Sequence, residues 1–595
     1  MQQRSSWNPP QHRVNLFVLL LALAHAILAL LFSLGPIFEG PDEIEHYRYI
    51  RYVATHGVLP PPNGQSYGQY HQAPLYYMLL APISAQLRDT RPARLTAYRN
   101  PYTGYQFDLP GNDNKNVYLH ESDEMFPYPD RTARAVHLLR LTSPLFGVAT
   151  VLMGFAVFRL LWPQCVEMQL VGVSIVALWP SLIYMSSVLN NDSLAISLSS
   201  AALYLVLRQQ RDGATLRSSL LLGLVLGAAL LSKAHATLLV VPVGLAVLTD
   251  RRIWKYAIIT LFVTLLVAGW WYLRNLVLVG DPIGIAANRQ TWPFDRLETD
   301  EFWLTAGLKR LNIAYDRLWA RFGHGAVAVA GWMYRLFDFA ILLSFFAFIT
   351  SLFRRHETTR LQRLQALVIL AWFAGYATAL VYFSGTAVNG NQGRYLLPAI
   401  VPIAVFLTLG VHFLLQKLPP PRKYDPVLVS GGLLVMVLLI LLCYFFPAYR
   451  PITVPMTPPR ELDVRFGDFA DLIGMSPEPL TARPGDSITI ELYWRAKGQG
   501  PTGLQSFLHA VDGEQFLWRD SIPGNGNFPA MNWRAGDTWG ERYLVYIPET
   551  VNAGDRFLVT AGLYDRTAGV PVEGFAADGT SLSLSPVIAT LWITP

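Results

Sequence analysis

Three short clusters interrupt an otherwise apolar chain with side chains that can move protons or hold anions. The first, Gly40-Pro41-Asp42-Glu43-Ile44-Glu45-His46-Tyr47, opens a long polar stretch and continues to Gly57-Val58-Leu59-Pro60. Apolar and aromatic residues recur at helical spacing over 43–55, which predicts a helix lying at a membrane surface. Asp42 stands at its N-terminus with Glu45 three residues on, the spacing of a capping box. A carboxylate placed there also suits a general base acting on a hydroxyl. Spacing separates neither role, and one residue can serve both.

The second cluster is Asn190-Asn191-Asp192-Ser193, just before another apolar run. Asp and Asn at such a place are common helix caps. If Asp192 meets Asp42 in space, the two acids can instead bind a metal, orient a nucleophile or hold sugar hydroxyls. The third cluster is cationic. Lys233 interrupts an apolar hairpin, and Arg394 lies in Asn391-Gln392-Gly393-Arg394-Tyr395 at the start of a further run. Cations at or inside the membrane boundary are costly, so they mark function unless they snorkel to water. Arg394 beside helix-terminal N–H groups suits a phosphate anchor. Gly269-Trp270-Trp271-Tyr272 reads as an interfacial aromatic belt or a sugar platform, and Arg274 just after it joins the cationic set.

Other chemistries find less support. His46, His71, His120, His137, His235 and His324 are scattered, without the spacing of a zinc site. No phosphate-binding loop, nucleophile elbow or dinucleotide fingerprint stands in a suitable context. Cys165 and Cys443 lie far apart in or beside apolar runs, which argues against a disulfide framework.

These residues must be positioned by a membrane fold. Only 15% of the 595 residues are charged, against roughly a quarter in soluble proteins, and mean hydropathy is +0.30. Charges thin out before residue 450 and return after it, so two domains are expected, 1–450 in lipid and 451–595 in water. About eleven runs can span a bilayer. They are Val14–Ile37, Val136–Leu161, Leu170–Val188, Asp192–Leu207, Leu220–Leu231, Ala236–Leu248, Tyr256–Tyr272, Tyr334–Phe353, Leu364–Phe383, Tyr395–Leu415 and Pro426–Phe446. The first is read as an uncleaved helix. The pair around Ser232–His235 is short on both sides and suits a broken or partly inserted hairpin.

Alternate loops carry Arg208/Arg211/Arg217, Arg251/Arg252/Lys255, Arg354/Arg355/Arg360/Arg363 and Lys417/Arg422/Lys423. With the N-terminus inside, all of them face the cytoplasm; the loop Pro163–Met168 adds little charge. The net charge of +6 therefore reports topology rather than nucleic-acid binding. Eleven crossings put the C-terminus outside. Two long loops, 39–135 and 274–332, then share the outer face, and their dense aromatics argue against disorder.

Past Pro451 the pattern alternates with period two. Ser487–Trp494, Gln505–Val511, Glu541–Ile547, Arg556–Tyr564 and Val587–Ile593 read as strands. Turns are signalled by Pro484-Gly485-Asp486, Asp512-Gly513, Gly524-Asn525-Gly526 and Asp578-Gly579. The expectation is an all-β sandwich of about 130 residues.

Several motifs occur in a set order: Gly40-Pro41-Asp42-Glu43 with His46 and Tyr49, Tyr70-His71-Gln72-Ala73-Pro74-Leu75-Tyr76-Tyr77, Asn191-Asp192, Leu231-Ser232-Lys233, Trp271 with Arg274-Asn275, and Gln392-Gly393-Arg394-Tyr395-Leu396-Leu397-Pro398. The set resembles bacterial membrane glycosyltransferases of the GT-C superfamily, related to protein mannosyltransferases and aminoarabinose transferases, over about residues 10–450. The resemblance implies an α-helical polytopic fold in the bacterial cytoplasmic membrane and a polyprenyl-phosphate-linked sugar donor used on its outer side. The acceptor would be a glycan, a lipid or a protein. By the same resemblance Asp42 is the catalytic base, Asp192 the second acid, and Lys233, Arg274 and Arg394 the phosphate-binding cations. Glu43, His46, His71, Gln72 and Tyr395 complete the candidate substrate-binding set. The sugar would move by a single inverting displacement, its phosphate leaving as a stable anion held by the cations. The aminoarabinose branch has an acidic metal-holding residue where this chain has Gln72; His71 is the substitute if a divalent metal binds.

The pieces LYWRAKG, FLHAVDG and GLYDRTAG of the β-domain resemble modules appended to bacterial membrane proteins of this kind, so glycan or acceptor binding and a structural lid are both open for it. A transporter or flippase for a lipid-linked glycan would want ionisable groups near the bilayer midplane and paired repeats; the acids here cluster at one boundary. A non-catalytic glycan-binding protein on the same scaffold is the third reading.

Overall fold

The computed structural model describes residues 9–62, 69–87, 91–284, 287, 296–353, 359–416, 425–512 and 515–595. Arg354, Arg355, Lys417, Arg422, Lys423 and the turn residue Gly513 lie outside the described residues. The chain forms two compact units. One comprises Met1–Thr90, Arg131–Phe322 and Val329–Leu441; the other comprises Arg91–Asp130, Gly323–Ala328 and Leu442–Pro595.

The first unit is helical, and the apolar runs read from the sequence fall largely on helix, except that Leu170–Val188 is split into Val166–Ala177 and Pro180–Met185 and Val14–Ile37 ends its helix at Phe32. Among the described residues, seven helical stretches are long and apolar enough to cross a membrane: Gln11–Phe32, Arg131–Leu161, Arg251–Val279, Gly331–Thr350, Arg360–Thr386, Gly393–Leu415 and Asp425–Ala448. The protein is thus a multi-pass membrane protein. Val166–Ala177, Leu216–Leu230 and Ala234–Thr249 are apolar but shorter, and Asp192–Asp212 is more polar. Two of these four are shielded by protein: nearly every side chain of Val166–Ala177 is buried, as is most of Asp192–Asp212. A helix walled by other helices need not be as apolar as one facing lipid.

Small residues bring two helices into contact. A Cβ built on Gly223 would lie 2.8 Å from the Thr260 carbonyl, and one on Gly227 2.6 Å from Val267 Cβ. Helices Leu216–Leu230 and Arg251–Val279 therefore pack backbone to backbone in the small-xxx-small manner. Thr264 adds an Oγ1–H bond to the Gly223 carbonyl at 3.3 Å.

The second unit is a β-sandwich. Its strands are β1 (Arg460–Phe466), β2 (Ala470–Ser476), β3 (Thr481–Ala482), β4 (Ser487–Ala496), β5 (Leu504–Asp512), β6 (Gln515–Ser521), β7 (Thr538–Tyr546), β8 (Arg556–Asp565), β9 (Val570–Val572), β10 (Gly574–Ala576), β11 (Ser581–Ser583) and β12 (Val587–Ile593). One sheet has the order β11-β10-β1-β2-β4-β7; the other has β3-β12-β8-β5-β6, with β9 added to β8. Alternate side chains of both sheets, among them Leu472, Ile490, Trp494, Trp539, Leu508, Val559 and Leu591, meet in one core. All five strands read from the alternation are present. β1 and β2 were not read, because each is broken by a register shift that interrupts the period. Glu541 is fully buried in this core. Its two oxygens accept from Trp494 Nε1 and Trp539 Nε1 at 3.1 Å, Tyr543 OH at 2.7 Å and Gly524 N at 3.0 Å.

Residues 91–130 are part of this unit and dock on the sandwich through a seam of asparagines. The Asn114 amide donates to Ser521 Oγ at 3.0 Å, Asn116 Nδ2 to the Gly526 carbonyl at 2.8 Å, and Tyr102 OH to Gln505 Oε1 at 2.6 Å. Asp113 lies in the same seam, accepting from Asn114 Nδ2 at 2.7 Å and Asn525 Nδ2 at 3.4 Å. Burial pushes the Asp113 carboxyl up to about 6, partly opposed by these bonds. A carboxyl raised on folding binds more protons folded than unfolded, so its contribution worsens as pH rises from about 4 to about 6 and is flat above. The expected result is that wild type loses about 2–3 kcal/mol relative to Asp113→Asn across that window, checked by melting the second unit of both proteins between pH 4 and 7.

Candidate active site

Four charged residues from four separate segments of the first unit converge. Asp42 precedes the helix Glu43–His56, and its backbone is left-handed at φ 57°, a conformation that Asp and Asn tolerate better than other residues with a side chain. Asp192 opens the helix Asp192–Asp212. Lys233 sits in the break before the 3-10 turn Ala234–Leu239, and Arg394 lies in the 3-10 turn Gly393–Ala399. Lys233 Nζ donates to Asp192 Oδ1 at 2.5 Å. Arg394 Nη2 donates to Asp42 Oδ2, while Nη1 lies 3.5 Å from Asp192 Oδ2. One guanidinium thus spans both acids, which keeps their carboxylates within about 8 Å of each other. Asp192 is fully buried and Arg394 and Lys233 nearly so, whereas the Asp42 side chain is 41% exposed.

The capping reading of both acids is corrected. Asp42 makes no side-chain cap bond; the left-handed turn aims its carboxylate at Arg394. At the second cluster Asn190 does the capping, accepting from Ser193 N at 2.9 Å, which leaves Asp192 for the ion pairs. The Tyr395 ring lies 5.9 Å from Lys233 Nζ and 5.7 Å from the Arg394 guanidinium carbon, a cation–π arrangement on both.

Gly393 makes the placement of Arg394 possible. A Cβ there would lie 2.2 Å from Leu318 N and 2.3 Å from the Ala314 carbonyl, backbone that cannot swing aside. Gly393→Ala is expected to push the turn off the helix Leu311–Trp319, cost about 1–3 kcal/mol and weaken anion binding at Arg394. A melt and a phosphate-ligand titration check both.

Glu43 is spent differently. It is fully buried against Arg140, with Nε–Oε1 at 2.7 Å and Nη2–Oε2 at 2.6 Å. Its oxygens also take Phe38 N at 2.8 Å and Leu189 N at 2.9 Å. Arg140 in turn donates to the carbonyls of Ser33, Gly35 and Pro36. The pair clamps the chain on both sides of Asp42 and ties it to the segment leading to Asp192. Arg140 was not among the residues singled out from sequence; the available signal was a cation inside the apolar run Val136–Leu161.

The remaining candidates surround the four. His46 Nδ1 meets Tyr77 OH at 2.9 Å with the two rings stacked, and burial pushes it down to about 3 despite Asp42 nearby. Burial likewise lowers His71 to about 4. Both are neutral at pH 7. Gln72 donates through Nε2 to Gln69 and meets His71 Nε2 at 3.3 Å, while its Oε1 accepts from Asn191 at 3.2 Å. Arg274 Nη2 donates to the Pro60 carbonyl at 2.7 Å, and its guanidinium carbon lies 5.0 Å from the Trp271 ring.

Asp42 and Asp192 each face a cation, Gln72 bonds to Gln69, Asn191 and His71 Nε2, and His71 Nδ1 is buried without a hydrogen-bond partner. Among the described residues, no three His, Cys, Asp or Glu side chains are grouped so as to hold an ion.

Residues 25–403 match the family described as "Predicted membrane protein (DUF2142)". The chain belongs to that family. The match takes in all four charged residues of this DUF2142 chain. No curated protein matches it. Among solved structures it is similar to ArnT from Cupriavidus metallidurans bound to undecaprenyl phosphate, at 13% identity over 74% of each chain with a TM-score of 0.42. The apo form of that protein gives 14% over 72% of this chain and 73% of that one, TM-score 0.41. The Archaeoglobus fulgidus oligosaccharyltransferase in complex with Zn and sulfate gives 15% over 73% of this chain and 52% of that one, TM-score 0.39.

Proposed function

We propose that this protein is a glycosyltransferase that moves a sugar from a polyprenyl-phosphate donor to an acceptor on the outer side of the bacterial cytoplasmic membrane. The observation that carries the reading is the half-exposed Asp42 carboxylate held against buried Arg394, with Lys233 and Asp192 behind it. A proton acceptor beside two cations at helix ends is what inverting transfer from a sugar phosphate requires. The ordered motifs from Asp42 to Arg394 support the same donor class.

In this mechanism Asp42 takes the proton of the acceptor hydroxyl as its oxygen attacks the anomeric carbon. The bond from that carbon to the phosphate oxygen breaks, and its electron pair leaves with the phosphate. Arg394 and Lys233 stabilise the charge that gathers there. Asp192 keeps Lys233 ionised and aimed, and the neutral rings of His46, His71 and Tyr395 wall the site. Glu43 and Arg140 are positioning residues. The N-terminus would be cytoplasmic and the β-sandwich outside.

The test is transfer of radiolabel from a panel of polyprenyl-phosphate sugars to membrane acceptors by the purified full chain. Donor-dependent transfer that needs Asp42 supports the reading. Absence of transfer from every donor, with the donors still bound, would move the assignment to a transporter or a binding protein on this scaffold.

A further inference from the structure

Arg394 presents a half-used edge. Its Nη2 is on Asp42, but Nε, on the same edge of the planar guanidinium, is buried with no hydrogen-bond partner. A buried donor on a charged group left unpaired is costly, and the Nε/Nη2 edge is the one that grips an oxyanion through two parallel bonds. Asp42 touches only one point of that edge. The local charges of Asp42, Asp192, Lys233 and Arg394 cancel. A phosphate added to a nearly buried guanidinium already shared by two carboxylates would leave three anions on one cation.

We propose that Arg394 changes partners: without ligand it holds Asp42, and the donor's phosphate takes the Nε/Nη2 edge and frees Asp42 to act, so that donor binds before acceptor. This rests on the donor assigned above and adds an order of events to it. The Lys233–Asp192 pair stays in place during the exchange, because its 2.5 Å contact uses a different oxygen from the one facing Arg394. The resting ion pair keeps Asp42 a poor base while the site has no sugar to transfer. Once the phosphate is seated, the acceptor proton moves to Asp42, the acceptor oxygen bonds to the anomeric carbon, and polyprenyl phosphate departs with the electron pair and one more negative charge. Charge balances, since the charge gained by the phosphate is the one Asp42 loses on protonation.

The exchange is tested by equilibrium binding of a short-chain polyprenyl phosphate to the full chain in lipid nanodiscs, with neutral polyprenol as control. If Asp42 and the phosphate compete for Arg394, Asp42→Asn binds the phosphate about tenfold more tightly although its sugar transfer is slowed, and polyprenol binding does not change. In Arg394→Lys, which keeps the charge but not the fork, the phosphate binds more weakly and adding Asp42→Asn gains nothing. Equal affinity of wild type and Asp42→Asn, within about twofold, would overturn the exchange and leave the glycosyltransferase reading standing. No preference for polyprenyl phosphate over polyprenol in any of the proteins would overturn both.

Discussion

Asp42→Asn is expected to lower the transfer rate by about 10²–10⁴-fold, the usual contribution of a positioned general base, while the protein melts close to wild type. Both halves follow from the geometry. The amide of Asn cannot take the acceptor proton, so the rate falls. The fold survives because Asn tolerates the left-handed backbone at φ 57° and because the Glu43–Arg140 clamp, not the Asp42 side chain, anchors the loop. Asp42→Ala is the less informative change, since it adds about 1–2 kcal/mol of backbone strain to the loss of the base. Initial rates of radiolabel transfer beside a thermal melt separate the two. Transfer by Asp42→Asn at near wild-type rate would remove Asp42 from the chemistry.

Arg140→Leu is expected to destabilise the helical unit by about 3–5 kcal/mol, the cost of leaving a buried carboxylate unpaired. The side chains of Arg140 and Glu43 are 1% and 0% exposed, so no water rescues Glu43. Three backbone carbonyls lose their donor at the same time. Arg140→Lys should lose much of the same stability, because an ammonium cannot reproduce the two-point contact and the three carbonyl bonds together. Pairing Arg140→Leu with Glu43→Gln should lose less than Arg140→Leu alone, since the stranded charge is gone. Denaturant melts in detergent read all three. A loss below about 1 kcal/mol for Arg140→Leu would mean the clamp is not what holds the Asp42 loop.

The sequence carried the helices and five of the strands because apolar periodicity is a local signal. It carried Asp42, Asp192, Lys233 and Arg394 as separate residues, each interrupting apolar surroundings. Spacing alone did not show their convergence, since they come from positions up to 352 residues apart and nothing local encodes that meeting; only the family resemblance grouped them. For the same reason the capping reading of Asp42 was reasonable and incorrect: Asp-x-x-Glu spacing is shared by caps that use it and by acids whose partner arrives from elsewhere. Glu43 looked like a neighbour of the chemistry, but its partner Arg140 lies 97 residues on, and only that partner shows that its oxygens are already taken. The seam of asparagines was invisible in another way. The run Gly111-Asn112-Asp113-Asn114-Lys115-Asn116 has loop composition, and its burial follows from bonds to a second polar run distant in sequence, Gly524-Asn525-Gly526-Asn527.

That seam sets a timetable for biogenesis. Asn114 bonds to Ser521, 407 residues further along the chain. At about 5–20 residues per second of synthesis, residues 91–130 must wait roughly 20–80 s for the surface they dock on. An apolar docking face left bare that long would invite aggregation; an asparagine-rich one is content in water until its partner arrives. The same logic limits what can be cut away. A fragment beginning at residue 451 would carry Gly526 and Ser521 without the amides that bond them, so the β-sandwich cannot be treated as a detachable tail. Its last fitted piece is among the earliest made.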